Sequence, residues 1–356
     1  MDSFNKSNLQ NIKNIFEERT GVELESKHKT VHHPIKRIAL TAAVLTCVLT
    51  LTGFEVAATL GVGDILKSFF SDRQKNSLSS GQNEYIDNRT ATIGESVTQD
   101  GVTVTVTGAI SDGTMAYILV DIVAPSDQNI EALPLGFDVE FERLKLEGQE
   151  KEHISSVSAG CILLSDYDGL DNTASMLIQY NIYQFRGSNF TFTDGKNRTL
   201  QLKDLFYYET DYPYSLCTVA EGMWEYEFAF TAVDDKEVEL LAAPVSASYS
   251  QISGKWVDAT ITSIETKGLS AVVYYTLDPN EVQEAGDFGI LKFVMKDGSI
   301  INAYPQKAGQ ISQIENGNLI PNTSSHYCSY VFDAPVNYED ITSLYIGDMA
   351  IDTNGQ

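Results

Sequence analysis

From Thr90 to its end the chain alternates with period two, and this pattern limits what it can fold into. In Gly101 to Ile110, Val102, Val104 and Val106 alternate with Thr103, Thr105 and Thr107. A slip of one residue would turn every valine to water, so the pattern specifies a half-buried strand in one register. Asp112-Gly113 marks a turn, and Met115 to Pro125 reads as the next strand. Phe137 to Leu146 alternates again. Phe190 to Phe192 and Thr199 to Leu202 flank Asp194-Gly195 and are expected to form a hairpin, because glycine accepts a positive φ at little cost. Met223 to Val233 places Trp224, Tyr226, Phe228 and Phe230 on one face, and this first unit is expected to end near Leu240. A second unit opens with Trp256 to Ile264 and Leu269 to Pro279. It continues through Ile290 to Tyr304, turned at Asp297-Gly298, and closes with two further strands. Segments 102–125 and 256–279 share the order strand, glycine turn, strand, proline, a hint of duplication. Long helical patterns are absent here. The chain of 356 residues therefore reads as mainly β, with two consecutive β-sandwich-like domains over 90–240 and 245–356.

The residues before Thr90 follow a different rule. Ile38 to Phe54 carries no charge for 17 residues, about 25 Å as a helix. Extended to Leu60, the run has 23 residues and reaches about 35 Å, enough to span a bilayer. A helix buried in a protein core is rarely apolar on every face, and the preceding 37 residues are too long for a signal peptide. Residues 38–60 are therefore expected to form a single transmembrane helix. Lys36 and Arg37 abut it and would keep the N-terminus in the cytoplasm, leaving the bulk of the chain extracytoplasmic. Residues 1–37 hold seven basic and five acidic side chains, net +2, while the remainder holds 17 basic and 44 acidic, net -27. Residues 61–89 combine an apolar patch (Ile65, Leu66, Phe69, Phe70) with a polar stretch that reads as a linker.

In the head, Ser7 to Gln10 has the spacing of a capping box. Leu9, Ile12, Ile15 and Phe16 follow at helical spacing, and Gly21 suits the stop. The short helix reads either as a frayed segment or as one that orders on a cytoplasmic partner.

Signals of chemistry are sparse. The net charge of -25 excludes a nucleic-acid-binding surface, which needs clustered cations. Past residue 60 there are two histidines, His153 and His326, and neither belongs to a metal-spaced or triad-like set. No phosphate-loop, dinucleotide or nucleophile-elbow motif occurs. An enzyme is not expected. Asp166, Asp168 and Asp171 surround Gly169 and could wrap calcium, although a solvated acidic turn is the better reading. Cys161, Cys217 and Cys328 read as buried free thiols, with a Cys161–Cys217 disulfide as the other reading. Tyr208, Tyr212, Tyr214 and Trp256 stand out as aromatic candidates for a binding surface.

Taken in order, the basic pair, the apolar run, Gly61 to Ile65, Ile93 to Ile122 and the Trp224 to Phe228 strand resemble the DUF4179 family of Gram-positive membrane proteins over about residues 35–240. The C-terminal unit resembles the immunoglobulin-like domain that often follows in that family. Members are often labelled anti-sigma factors. The resemblance implies a single-pass envelope regulator whose head binds an extracytoplasmic-function sigma factor through Leu9, Ile12, Ile15 and Phe16 while the outer domains sense an envelope signal. The rival reading is a cell-surface or cell-wall binding module with no sigma-binding role, meeting a cell-envelope ligand through exposed aromatics.

Overall fold

The computed structural model describes residues 61–131, 133–141, 154–164, 170–184, 190–209, 215–233, 238–251, 253–278, 286–315 and 318–353. Two helices come first, α1 (Val62–Gln74) and α2 (Ser80–Arg89). The first β unit follows with β1 (Ala91–Gln99), β2 (Val102–Ser111), β3 (Met115–Val123), β4 (Leu135–Phe141), β5 (Ile154–Leu163), β6 (Thr173–Gln184), β7 (Arg198–Tyr208) and β8 (Leu216–Phe228). The second unit holds β9 (Val238–Glu239), β10 (Val245–Gln251), β11 (Trp256–Thr266), β12 (Ser270–Leu277), β13 (Gly286–Asp287), β14 (Leu291–Met295), β15 (Ile300–Glu315), β16 (Asn318–Phe332), β17 (Ile341–Ile346) and β18 (Met349–Ile351).

In the first unit, a five-stranded antiparallel sheet ordered β1-β2-β3-β6-β5 faces a three-stranded sheet ordered β4-β7-β8. The valines of β2 meet Trp224, Tyr226 and Phe228 of β8 in one core, and Phe230 is buried with them. Trp224 Nε1 donates to the Val102 carbonyl at 3.2 Å and Tyr226 Oη to that of Val104 at 2.6 Å. These bonds tie the two sheets and satisfy the polar ends of two buried rings. The expected hairpin around Asp194-Gly195 is not present. Phe192–Asp194 forms a 3-10 turn, with the Thr191 side chain accepting from Thr193 N–H, and β7 pairs with β4 and β8 instead. The Asp194 carboxylate binds Arg198 and the Lys196 amide, which locks the turn.

The second unit corrects the immunoglobulin-like expectation. Its strands form one ten-stranded sheet, ordered β13-β10-β11-β12-β16-β15-β14-β17-β18 with β9 on β11. This sheet curls around a single core that joins Tyr249 and Tyr275 near one end to Leu344 and Ile351 near the other. A bridge between Leu241, just after β9, and Thr353, just after β18, joins the first strand of this unit to its last. The pairs expected between Trp256 to Ile264 and Leu269 to Pro279, and across Asp297-Gly298, are those observed.

The helices correct the linker reading and the membrane reading. Ser79 and Gln82 form a complete capping box at the start of α2, within the stretch read as linker. Leu66, Phe69 and Phe70 of α1 and Ile86 of α2 pack with Tyr117, Leu119 and Leu177 of the first unit and with Leu269, Val331 and Ala334 of the second. The pair is a wedge between the two β units. At 13 and 10 residues, the helices reach only about 20 and 15 Å, and α1 carries Asp64, Lys67, Asp72 and Arg73. Among the described residues no helix is long and apolar enough to cross a membrane. The expected single-pass architecture, with its N-terminal transmembrane helix, membrane partner and extracytoplasmic placement, is therefore not carried forward. The run 38–60 on which it rested, Lys36 and Arg37, and the head residues Leu9, Ile12, Ile15 and Phe16 lie outside the described residues.

The two hairpins that share a sequence pattern meet at their turns. Asp112, fully buried, leaves the β2–β3 turn. Its Oδ1 accepts from Met115 N–H at 2.8 Å and Thr114 N–H at 3.1 Å. Its Oδ2 accepts from Leu269 N–H at 3.2 Å and Ser270 Oγ at 2.6 Å, both in the β11–β12 turn. Tyr85 of α2 lies over Gly268 in that turn, and its hydroxyl donates to the Lys267 carbonyl at 3.3 Å. A Cβ on Gly268 would sit 2.6 Å from the Tyr85 ring, and its φ of 113° already excludes most side chains. Gln82 Nε2 reaches the Pro335 carbonyl at 3.1 Å, joining α2 to the second unit.

Two predictions follow from this packing. Asp112→Ala strands the Met115 and Leu269 amides in a dry interface, and is expected to destabilise the protein by about 2–4 kcal/mol in chemical denaturation. The second concerns alkaline pH. Burial pushes Tyr249, Tyr117, Tyr180 and the Cys328 thiol up to about 12, against unfolded values of about 10 and 8.5. The folded chain keeps these protons longer, so their stabilisation is complete below about pH 8.5 and is lost as pH rises toward 12. The denaturation midpoint should fall through that window, and less steeply in Tyr249→Phe.

Candidate functional site

The outward face of β10, β11, β12 and β16 is built by simple alternation. Ala247 and Tyr249 of β10, Val257, Ala259 and Ile261 of β11, and Val273 and Tyr275 of β12 point into the core. Their neighbours therefore point out. Strand register sets Ser246 opposite Thr260, Thr260 opposite Thr276 and Thr276 opposite Ser325. Four hydroxyl side chains thus form a row across four strands, about 14 Å long at the usual strand spacing. A second row sets Ser248 beside Asp258, and a third sets Ser250 beside Trp256. Trp256 is 64% exposed, the most exposed of the large hydrophobic side chains among the described residues. A β-bulge follows Ile261, where exposed Thr262 donates through Oγ1 to the Tyr274 carbonyl at 3.2 Å.

Two comparisons within the molecule define the character of this face. On β1 and β2 the outward hydroxyls bind one another, Ser96 with Thr105 and Thr98 with Thr103, each at 2.8 Å. The side chains of Ser246, Ser248, Thr260 and Thr276 make no hydrogen bond to other described residues. Their donors and acceptors face outward. The exterior of the three-stranded sheet is ionic instead. Lys203 Nζ meets Glu140 at 2.9 Å, which raises the lysine pKa. Gln201 binds Glu225 at 2.8 Å, and burial raises the Asp138 carboxyl. On the β10–β11 rows Asp258 is the one charged side chain.

Of the residues expected from sequence, Trp256 lies on this face, while Tyr208 stands apart, on β7 of the first unit. Tyr208 is 47% exposed and lies opposite Leu216, itself 52% exposed. Tyr212 and Tyr214 lie outside the described residues, as do Asp166 and Asp168 of the calcium reading. Asp171 is exposed, and its carbonyl accepts from Ile130 N–H at 2.7 Å and Glu131 N–H at 3.2 Å. Among the described residues no group of three or more His, Cys, Asp or Glu side chains could hold a metal ion. The Cys161–Cys217 disulfide does not form, since Cys161, Cys217 and Cys328 are all free thiols. His326 is buried, stacked on Tyr275 with ring centroids 5.3 Å apart. The hydroxyl row was missed in the sequence reading, yet SASYS (246–250) and ATIT (259–262) carry it openly.

Residues 32–123 match the family described as Domain of unknown function (DUF4179). The expected likeness over about 35–240 is thereby reduced to that stretch, and the family description assigns no sigma-factor role. Together with the short described helices, this overturns the expected anti-sigma envelope regulator. No curated protein matches the sequence. A crystal structure of a conserved domain protein from Bacillus anthracis is similar, with 13% identity and a TM-score of 0.44 over 72% of this chain and 75% of that one.

The three thiols should differ in reactivity. Burial holds Cys328 protonated, and its side chain is 1% exposed. A thiol reagent at pH 8 should modify half-buried Cys217 first and leave Cys328 untouched until the protein is unfolded. Peptide mapping after timed labelling would show this order.

Proposed function

We propose that this chain works as a non-catalytic cell-surface or cell-wall binding module, with no sigma-binding role. The observation that carries the reading is the outward face of the second unit, where exposed Trp256 stands beside ordered rows of hydroxyl side chains. An indole left in water on a well-paired strand gains nothing for the fold, whereas a ligand can bury it. The surrounding hydroxyls are held by the sheet ladder, so little order is lost when a ligand docks. The wedge of helices between the β units gives that face a stiff support.

The test is co-sedimentation of the full chain with insoluble cell walls from a Gram-positive bacterium. The protein should pellet with the walls. Trp256→Ala should keep its denaturation midpoint, because an exposed side chain away from packing shifts stability by about 0.5 kcal/mol at most. Its dissociation constant should rise about 30-fold, the loss of an aromatic anchor of about 2 kcal/mol. Equal pelleting of both proteins would remove this face from the function.

A further inference from the structure

We infer that the outward face of β10, β11 and β12 binds an uncharged polysaccharide, with Trp256 stacked on a sugar ring and the Ser246–Thr260–Thr276 row bonded to the hydroxyls of the chain beyond it. This inference rests on the binding-module reading and names the ligand class.

Charge narrows the ligand first. The chain carries a net charge of -25, so an acidic polymer meets repulsion from the molecule as a whole. A cationic polymer would be drawn to the carboxylates around β4, β7 and β8, where Glu140, Glu225 and Glu227 face outward. The β10–β11 rows offer a single carboxylate, Asp258, among hydroxyls and Trp256, far fewer charges than the β4–β7–β8 exterior. Selective contact here requires a neutral ligand.

Hydrogen-bonding chemistry narrows it further. Each Ser or Thr hydroxyl is both donor and acceptor and turns to suit its partner. A row of them matches a ligand whose own groups are hydroxyls. Trp256 adds a flat apolar plate with one N–H at its edge, which suits the C–H face of a pyranose ring whose rim is polar. A flat apolar ligand would satisfy the indole and strand the hydroxyls. A polar small molecule would do the reverse.

Length completes the argument. The Ser246–Thr260–Thr276 row spans about 10 Å across the strands, and Trp256 lies four residues from Thr260, about 13 Å along β11. One ligand reaching both stations must be extended by several sugar units. The paired strands hold the stations at fixed spacing, so the sheet favours a repeating chain over a monosaccharide.

The experiment fractionates wall polysaccharide by anion exchange into neutral and acidic pools, and uses each to compete the full chain off intact walls. The neutral pool should release the protein, and the effect should change less than twofold between about 50 and 500 mM salt, since no ion pairs are involved. Direct binding to the neutral pool should weaken at least tenfold in Trp256→Ala and recover in part in Trp256→Phe. Ser246→Ala combined with Thr260→Val should weaken it at least fivefold, with an unchanged denaturation midpoint for each variant. Wall binding competed by the acidic pool, or by neither pool, would overturn the ligand class while leaving the module reading standing. Neutral-pool binding that ignores all these substitutions would overturn the assigned face. No binding to walls at all would overturn both.

Discussion

A buried carboxylate, paired with no cation among the described residues, holds the two halves of this protein in register. Asp112 is fully enclosed, and its two oxygens divide between its own turn and the turn of the second unit. An anion removed from water needs several strong donors to be tolerated. Three backbone amides and two hydroxyls would not meet in that place unless both hairpins stopped at the right residue. Their lengths, Gly268 under the Tyr85 ring, and the helices that wall off solvent are therefore mutually constrained. The aromatic trio Phe69, Phe70 and Tyr117, in edge-on contact at 5.1–5.4 Å, fills the space beside it.

The same alternation that builds the two cores also writes the exterior, and the two exteriors differ. In the first unit the outward positions of β4, β7 and β8 hold ion pairs and amide-carboxylate bonds. In the second, β10 and β11 hold hydroxyls with Trp256 at the end. Inward residues answer to packing and are replaceable by others of like volume. Outward ones are free of that demand, and on β10 and β11 most of them are hydroxyls, with Asp258 and Trp256 as the exceptions.

Much of the β architecture was legible because period-two runs and Asp-Gly turns are local signals. β2, β3, β11 and β12 lie close to where their local pattern puts them, whereas β8 begins at Leu216, seven residues before the expected Met223, and ends at Phe228. What local signals cannot give is which sheet a strand joins. The long β15–β16 ladder and the β12–β16 pairing draw the second unit into one sheet, a matter of contacts distant in sequence. The hairpin at Asp194-Gly195 failed because Arg198 and the Asp194 carboxylate favour a capped turn over a ladder. The α2 helix was legible and overlooked, since Ser79 and Gln82 repeat the capping spacing read at Ser7 and Gln10. Asp112 reads in the sequence as a turn former. That its carboxylate serves a second turn 157 residues away leaves no mark in the neighbouring sequence. Trp256 was picked out as an aromatic, whereas the hydroxyl row appears only once register aligns four strands.

The bridge between Leu241 and Thr353 sets an order of events during synthesis. The second sheet closes only when its last strand has left the ribosome, so its core cannot seal while the chain is still growing. The first unit and the two helices have no such wait. At about 5–20 residues per second, they stand complete for several seconds with Asp112 uncovered and the apolar side of α1 exposed. The arriving turn at Leu269 and Ser270 then covers a surface already shaped to receive it.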